Sequence, residues 1–532
     1  VNHYIDTIVS LAPICALIFM MTKKKSIPSY KALPLAAMML YGVKLIYFND
    51  APNLINATVV KGMLTAWTPI MIIWGAVLLF KTMEYSGGMN TVRAWLNGIS
   101  SNRVAQLMII GWAFAFLIEG ASGFGTPAAL AAPLLVGLGV APVRAAILCL
   151  IMNSVPVSFG AVGTPTWFGF KELNLTPEMI LQVGWKSALM HFCAALVIPV
   201  IALLFVVSWK EAKRNLLFIY LSIFSCIVPY FLISLFSYEF PTIIAGSIGL
   251  IVSVVLAKYK VGLSQEDTPE EIQTEGAQNH GWSVIKAMFP LWGSVSLLIL
   301  TRIHQLGIKG LLTCSTPIDT TKLGSLGEFS ISPSCVLSLK NIFMTQESWS
   351  MKALFVPSII PFFLIVFISL FVYKLDRKTS WIIWKDTFGR MKMPVIALMG
   401  ALVMVNLLMV GGENACTAII GRTFADVAGK NWQYCAAYLG AIGSFFAGSN
   451  TVSNLTFGGI QYSIAQNLGL NVSTILALQS VGGAMGNMVC INNIVAVCSI
   501  LGIMSKEGYI IKRTVIPMII YGIIAAIVSC FL

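Results

Sequence analysis

The feature that most constrains this chain is a series of predominantly apolar runs. They lie near 5–22, 32–48, 57–80, 178–208, 216–236, 241–257, 283–303, 352–373, 393–411 and 509–531. Most have the length, about 17–25 residues, that a helix needs to cross the hydrocarbon core of a bilayer. Two further regions, 103–172 and 431–503, are equally apolar but broken by Gly, Ser, Thr, Asn and Pro. Of the 532 residues, 57% are hydrophobic and only 10% charged, against about 25% charged in soluble domains. Such a chain could not cover its own surface in water. The expectation is an all-α polytopic membrane protein with the lipid bilayer as its partner. The net charge of +13 does not point to nucleic acid, because the Lys and Arg are spread over short loops between apolar runs.

Those loops set the orientation. Residues 23–31 (Lys23, Lys24, Lys25, Lys31), 81–103, 209–214 (Lys210, Lys213, Arg214), 258–281, 374–392 and 506–513 are basic and belong on the cytoplasmic side. The weakly charged loops 49–56 and 237–241 and the polar insertion 306–350 then fall outside. Parity gives about 12 crossings with both termini extracytoplasmic. The run "TIVSLAPICALIFMM" is followed by "KKK", not by a small-residue cleavage site, so it reads as a first span. The solvated stretch 258–281 is a cytoplasmic linker between a first transmembrane half, 1–257, and a second, 282–532. Cys314 and Cys335, both in the insertion, could pair if that loop faces the oxidising side.

The interruptions repeat. "FLIEGASGFGT" (116–126) and "FFAGSNTVSN" (445–454) precede "LGVAPVRAAILCLIMNSVPVSFGAVGTP" (138–165) and "LGLNVSTILALQSVGGAMGNMVCINN" (468–493) at similar offsets. Parity inserts the two units in opposite senses, the inverted repeat of secondary transporters. Each unit reads as a re-entrant hairpin followed by a broken helix. The first hairpin is 103–140 with its tip at 119–126, and its broken helix is 143–172, interrupted at 160–165. The second hairpin is 431–468 with its tip at 448–454, followed by 473–503, broken near Gly486–Asn493. Non-helical backbone survives in a membrane only where it is buried in protein or lines a cavity. Helix N-termini at such breaks present free N–H groups and the positive dipole end to an anion, typically a carboxylate. Gly120, Ser122, Gly123, Gly125 and Thr126 at one tip, and Ser449, Asn450, Thr451, Ser453 and Asn454 at the other, are therefore candidate substrate-binding residues. A single glycine-rich break could serve close helix packing alone; two at matching positions favour a site.

Ionisable residues inside spans mark function. Glu119, beside the first tip and with no Lys or Arg near it in sequence, is the candidate for proton coupling, since burial favours the neutral form of a carboxylate. Arg144, at the hairpin exit, is a candidate for attracting an anion or a simple positive-inside anchor, and the same holds for Arg422. His191 reads as a satisfied helix-contact residue. Lys44, Lys61, Lys81 and Lys186 lie near span ends and are expected to snorkel. No HExxH, paired Asp or Cys/His spacing appears, and Ser122 is the one candidate nucleophile, so an enzyme is not expected, nor a metal or cofactor.

Three segments, "FLIEGASGFGTPAALAAPLLVGLG", "AAILCLIMNSVPVSFGAVGTP" and "GSNTVSNLTFGGIQ", resemble the bacterial L-lactate permease family, and the resemblance runs more loosely across most of the chain. It implies an inner-membrane symporter that takes lactate, and often glycolate, together with a proton. It places Glu119 to Thr126, Asn153, Gly163 to Pro165 and Ser449 to Asn454 in the family's signature segments. Where some relatives have Asp in "GSDT", this chain has Asn450, which leaves proton coupling to Glu119. On this reading the solute carboxylate docks on the two sets of half-helix N-termini, and its 2-hydroxyl meets Thr164, Asn153 or Asn487. The hairpins would then move against a scaffold of outer helices. A sodium-coupled dicarboxylate carrier is the alternative, because Ser-, Asn- and Thr-rich breaks could ligate Na⁺.

Overall fold

The computed structural model describes residues 2–22, 27–123, 126–264, 283–302, 307–356, 358–503 and 506–532. The protein is an all-α polytopic membrane protein with one small sheet. Among the described residues seven helices are long and apolar enough to cross a membrane, or eight with a pair bent by 47° at Pro142–Met152 and Val155–Leu173. Two compact units share the chain, Val1–Ser86 with Met288–Val427, and Gly87–Ala287 with Ala428–Leu532.

In the first unit the 33-residue helix Arg377–Met409 packs against Ser29–Ile46, Pro52–Thr65 and Trp67–Tyr85. Small residues set the spacing. A Cβ on Gly62 would overlap the backbone of Val403, and one on Gly400 would overlap Pro34. Lys44 and Lys81 do not snorkel. Both are buried, and their ammonium groups are paired, Lys44 with Asp50 at 2.7 Å and Lys81 with Glu84 at 2.6 Å and Asp386 at 3.0 Å. A buried ammonium is costly unless paired, and here the partner of Lys81 comes from a distant part of the sequence.

The polar insertion holds the departure from an all-helical chain. Strands β1 (Asp319–Lys322), β2 (Glu328–Ile331), β3 (Val336–Lys340) and β4 (Trp349–Lys352) form an antiparallel sheet in the order β1-β2-β3-β4. Leu339, Ile342 and Trp349 pack it onto Ala57 of Pro52–Thr65, and Lys61 pairs with Glu347 at 3.1 Å. Cys314 and Cys335 are both free thiols.

The second unit contains the same series of parts twice. The first arm runs Arg103–Ser122, with a π-helical stretch at Met108–Phe114, turns at Gly123 (φ 61°), and is followed by Thr126–Gly137. Pro142–Met152 then leads to a 3-10 turn, Val155–Phe159, and a short segment ending at Trp167. In the second series Trp432–Ala447 turns at Gly448 (φ 74°) into Asn450–Leu468. Val472–Gly486 follows, then a 3-10 turn at Asn487–Val489 and Ile491–Leu501. Ile491–Leu501 packs on Thr126–Gly137, and the segment ending at Trp167 packs on Asn450–Leu468, so the two series interlock.

The tightest helix pair of this unit is Trp432–Ala447 against Val472–Gly486. A Cβ on Gly440 would overlap the Gln479 carbonyl, one on Gly482 the Ala437 carbonyl, and one on Gly486 the Ala441 backbone. This is the small-residue interface that lets helices approach in a membrane. Gly482→Leu is expected to destabilise the protein by about 1–3 kcal/mol, the usual cost of overpacking. The check is the melting temperature in detergent by size-exclusion recovery. Gly508→Ala, where nothing lies within 4 Å of an added Cβ, should leave it unchanged.

Candidate functional site

The breaks of the two series meet at one cavity. Its walls are Glu119 and Gly123 from the first hairpin and Val157, Gly160, Ala161 and Pro165 from the first broken helix. Ser449, Asn450 and Thr451 of the second hairpin and Asn487 of the second broken helix complete them. The cavity is narrow, with a volume of about 10 Å³, about the room one water needs.

One wall is a helix N-terminus. The first bond of Asn450–Leu468 runs from the Ser453 N–H to the Ser449 carbonyl. The amides ahead of it, at Asn450, Thr451 and Val452, therefore have no helical acceptor. Ser449 makes no side-chain cap. Free N–H groups and the positive dipole end face the same side, which favours an anion.

The opposite wall carries the carboxylate. Glu119, 2% exposed, accepts a hydrogen bond from Asn153 Nδ2 at its Oε2, 3.1 Å away. Among the described residues no Lys or Arg forms an ion pair with it. Gly160 lies against the other oxygen, and a Cβ there would overlap Glu119 Oε1.

Beside Glu119 the backbone of the first broken helix is forced into an uncommon shape. Ala161 (φ 43°, ψ 53°), Val162 (φ 57°, ψ 48°) and Gly163 (φ 70°, ψ 9°) are consecutively left-handed. This conformation costs roughly 1–2 kcal/mol per L-residue and is a genuine outlier for β-branched Val162. Contacts around the turn hold it: a Cβ on Gly163 would overlap the Tyr238 carbonyl. The break starts earlier than "GAVGTP" suggests, at Asn153, and runs through the 3-10 turn.

The remaining candidates are placed as follows. Asn153 lies beside Glu119. Thr164 donates its hydroxyl to the Ala161 carbonyl, and Ser122 to the Ile118 carbonyl. Ser453 Oγ donates to the Gly440 carbonyl at 2.7 Å and accepts from Gln479. Asn454 Nδ2 donates to the Pro165 carbonyl at 3.0 Å. Gly120 faces the Ile243 backbone, where a Cβ would overlap it; this glycine packs the arm onto Pro241–Lys258. Gly125 lies outside the described residues, and Thr126 begins the second arm. Arg144 is exposed in the first turn of Pro142–Met152, about 13 Å along the chain axis from Asn153 at 1.5 Å per residue.

A network that sequence reasoning did not assemble braces the break from behind. His191 Nε2 is 2.7 Å from Ser158 Oγ, and its Nδ1 meets the Tyr521 hydroxyl. Ser480 Oγ donates to Ser158 Oγ at 3.0 Å. Ser158 is the neighbour of the wall residue Val157, so His191 ties the 3-10 turn to Tyr521 on Glu507–Ser529, and Ser480 ties it to Val472–Gly486. Its lone position in an apolar span was the only signal. Lys186, also expected to snorkel, is buried and donates to Asn471 Oδ1 at 3.1 Å and Thr474 Oγ1 at 2.8 Å.

The family model for L-lactate permease matches residues 6–532. The chain belongs to the L-lactate permease family. The resemblance carried by the three motifs is thus borne out. A Haemophilus influenzae protein named "Putative L-lactate permease" is 53% identical over 525 residues, covering 99% of this chain and 98% of that protein. The "L-lactate permease" of Bacillus subtilis is 25% identical over 545 residues, 97% of this chain and 93% of its own. The "Glycolate permease GlcA" of Escherichia coli is 25% identical over 477 residues, 87% and 84% respectively.

For this permease family member the close approach at Gly160 gives a direct test. In Gly160→Ala the added methyl would displace the end of a flexible side chain, Glu119, with little effect on folding. Substrate counterflow in proteoliposomes should fall by up to about tenfold as the side chain is pushed from its place beside Asn153, the size of one lost hydrogen bond, with the melting temperature kept. Gly184→Ala, whose Cβ would make ordinary contacts at 3.4 Å or more, should transport normally.

Proposed function

We propose that this chain carries L-lactate, and glycolate or related 2-hydroxy monocarboxylates, across the bacterial inner membrane in symport with a proton. The substrate class rests on the family and on what its relatives are named for. The coupling rests on one observation: the cavity wall contains a buried carboxylate, Glu119, whose hydrogen-bond partner is the neutral amide of Asn153.

The charge arithmetic explains why that matters. A monocarboxylate carried inward alone moves one negative charge against the membrane potential, at about 2.3 kcal/mol per 100 mV. A proton on Glu119 makes the loaded site neutral overall. The solute carboxylate would sit at the amides of Asn450 and Thr451, across from the protonated acid, and access would alternate between the two sides with the site loaded or empty. Both termini would be extracytoplasmic, as the loop charges suggest. The reading as a carrier rather than an enzyme rests on the family.

For one-to-one symport a gradient of one pH unit is worth about 1.36 kcal/mol, or roughly tenfold accumulation. Wild-type protein in vesicles should approach that ratio. Glu119→Gln should keep lactate counterflow but accumulate nothing above equilibrium. Undiminished gradient-driven accumulation by Glu119→Gln removes the proton role. Loss of uptake when choline replaces Na⁺ would transfer the coupling to sodium.

A further inference from the structure

We propose that Asn450 is the specificity-determining residue for the 2-hydroxyl group of the substrate. This deepens the functional reading above and rests on it. The side chains named above as candidates for the 2-hydroxyl group, and the wall residue Asn450, differ in what they have left to offer. Thr164 has donated its hydroxyl to Ala161. Asn487 Oδ1 accepts from both Ser444 Oγ and Asn493 Nδ2, each at 3.2 Å. Asn153 has committed its Nδ2 to Glu119, leaving Oδ1 open. Of these four residues Asn450 alone both lines the cavity and, among the described residues, has Oδ1 and Nδ2 unpartnered, and it is only 2% exposed.

A buried amide left unpaired is costly, so its position is meaningful. Gly483 sets it: a Cβ there would overlap Asn450 Oδ1, so the amide lies against a wall with no side chain. An amide offers one acceptor and two N–H donors on adjacent atoms. A 2-hydroxy acid offers the complement, a hydroxyl donor on the carbon next to a carboxylate acceptor. Oδ1 receives the hydroxyl proton while Nδ2 donates to the carboxylate. An unsubstituted or 2-oxo acid has acceptors only and leaves Oδ1 without a donor. Lactate and glycolate satisfy the pair equally, whereas propionate and pyruvate do not. A site built to hydrogen-bond a hydroxyl rejects analogues that lack it, because its own polar groups are then stranded.

The test is a competition in proteoliposomes, with unlabelled lactate, glycolate, propionate or pyruvate driving counterflow of labelled lactate. The lactate-to-propionate preference is a ratio and does not depend on how much carrier is folded. Asn450→Leu, which keeps bulk and removes both polar atoms, should lower that preference by roughly ten- to a hundredfold. Asn450→Ala should do the same and serves if the leucine variant does not fold. Gly483→Ala, which displaces the amide without changing it, should lower the preference in the same direction. A preference unchanged within twofold in the Asn450 variants, with lactate still exchanged, overturns this proposal and leaves the transport reading standing. Lactate and propionate losing ground equally, so that the ratio is kept, overturns it as well. If wild-type protein exchanges no monocarboxylate at all, the functional reading itself fails.

Discussion

Everything at the centre of this protein depends on finding hydrogen-bond partners for backbone that is not helical. In a membrane interior, water cannot serve unpaired carbonyls, and each one left open costs several kcal/mol. The first broken helix shows how the account is closed. The Val155 carbonyl accepts from Tyr230, Pro156 from Thr242, and Ser158 from Thr166. Ala161 accepts from Thr164, Val162 from the Trp167 indole, and Pro165 from Asn454. Six carbonyls are taken by side chains, one of them from the other series. The break is thus a rigid polar structure, and the left-handed turn at 161–163 is held there by its surroundings.

That accounting also separates the polar residues by role. Many Ser, Thr and Asn side chains in these spans serve the backbone or one another. Ser453, Asn454, Gln461 and Gln479 form one such network, with Trp432 donating to Gln461 at 2.7 Å. The Glu119 carboxylate, held by the Asn153 amide, and the amide of Asn450, unpartnered among the described residues, border the same cavity, with the open Asn153 Oδ1 beside them. The two series share an architecture but contribute different chemistry. The first supplies a carboxylate and a strained turn, the second a helix N-terminus and an uncommitted amide.

Much of this was legible in the sequence, for a physical reason. Apolar runs of membrane-spanning length and glycine-rich breaks within them have few soluble or unbroken alternatives, so a polytopic membrane protein with chain breaks within 119–126 and 448–454 could be read directly. Which residues of a tip face a solute could not. Asn450 and Asn454 are one helical turn apart and chemically identical, yet one borders the cavity and the other caps the Pro165 carbonyl, a partner far away in sequence. Lys81 and Lys186 escaped for the same reason, since their partners Asp386 and Asn471 lie far away in sequence. The sheet at 319–352 was hidden because strands of four or five residues, with an uneven burial pattern, leave too short an alternation to stand out.

The residue at 450 also limits how many charges the cavity can hold. Two unit charges about 4 Å apart repel by about 4 kcal/mol at an effective dielectric of 20. An ionised Glu119 facing a solute carboxylate would meet that repulsion in a narrow cavity, with no Lys or Arg paired to Glu119 among the described residues. Under the proposed coupling the acid is neutral when the anion is bound, and proton and solute enter together because each removes the obstacle to the other. An Asp at 450 would put a second carboxylate at a helix N-terminus, where the dipole favours its ionised form, directly in the place of the incoming anion. With Asn450 the same position offers a hydrogen-bond donor instead of a competing charge. On the proposed coupling, one acid and one amide are enough to make the binding of a single small anion conditional on a single proton.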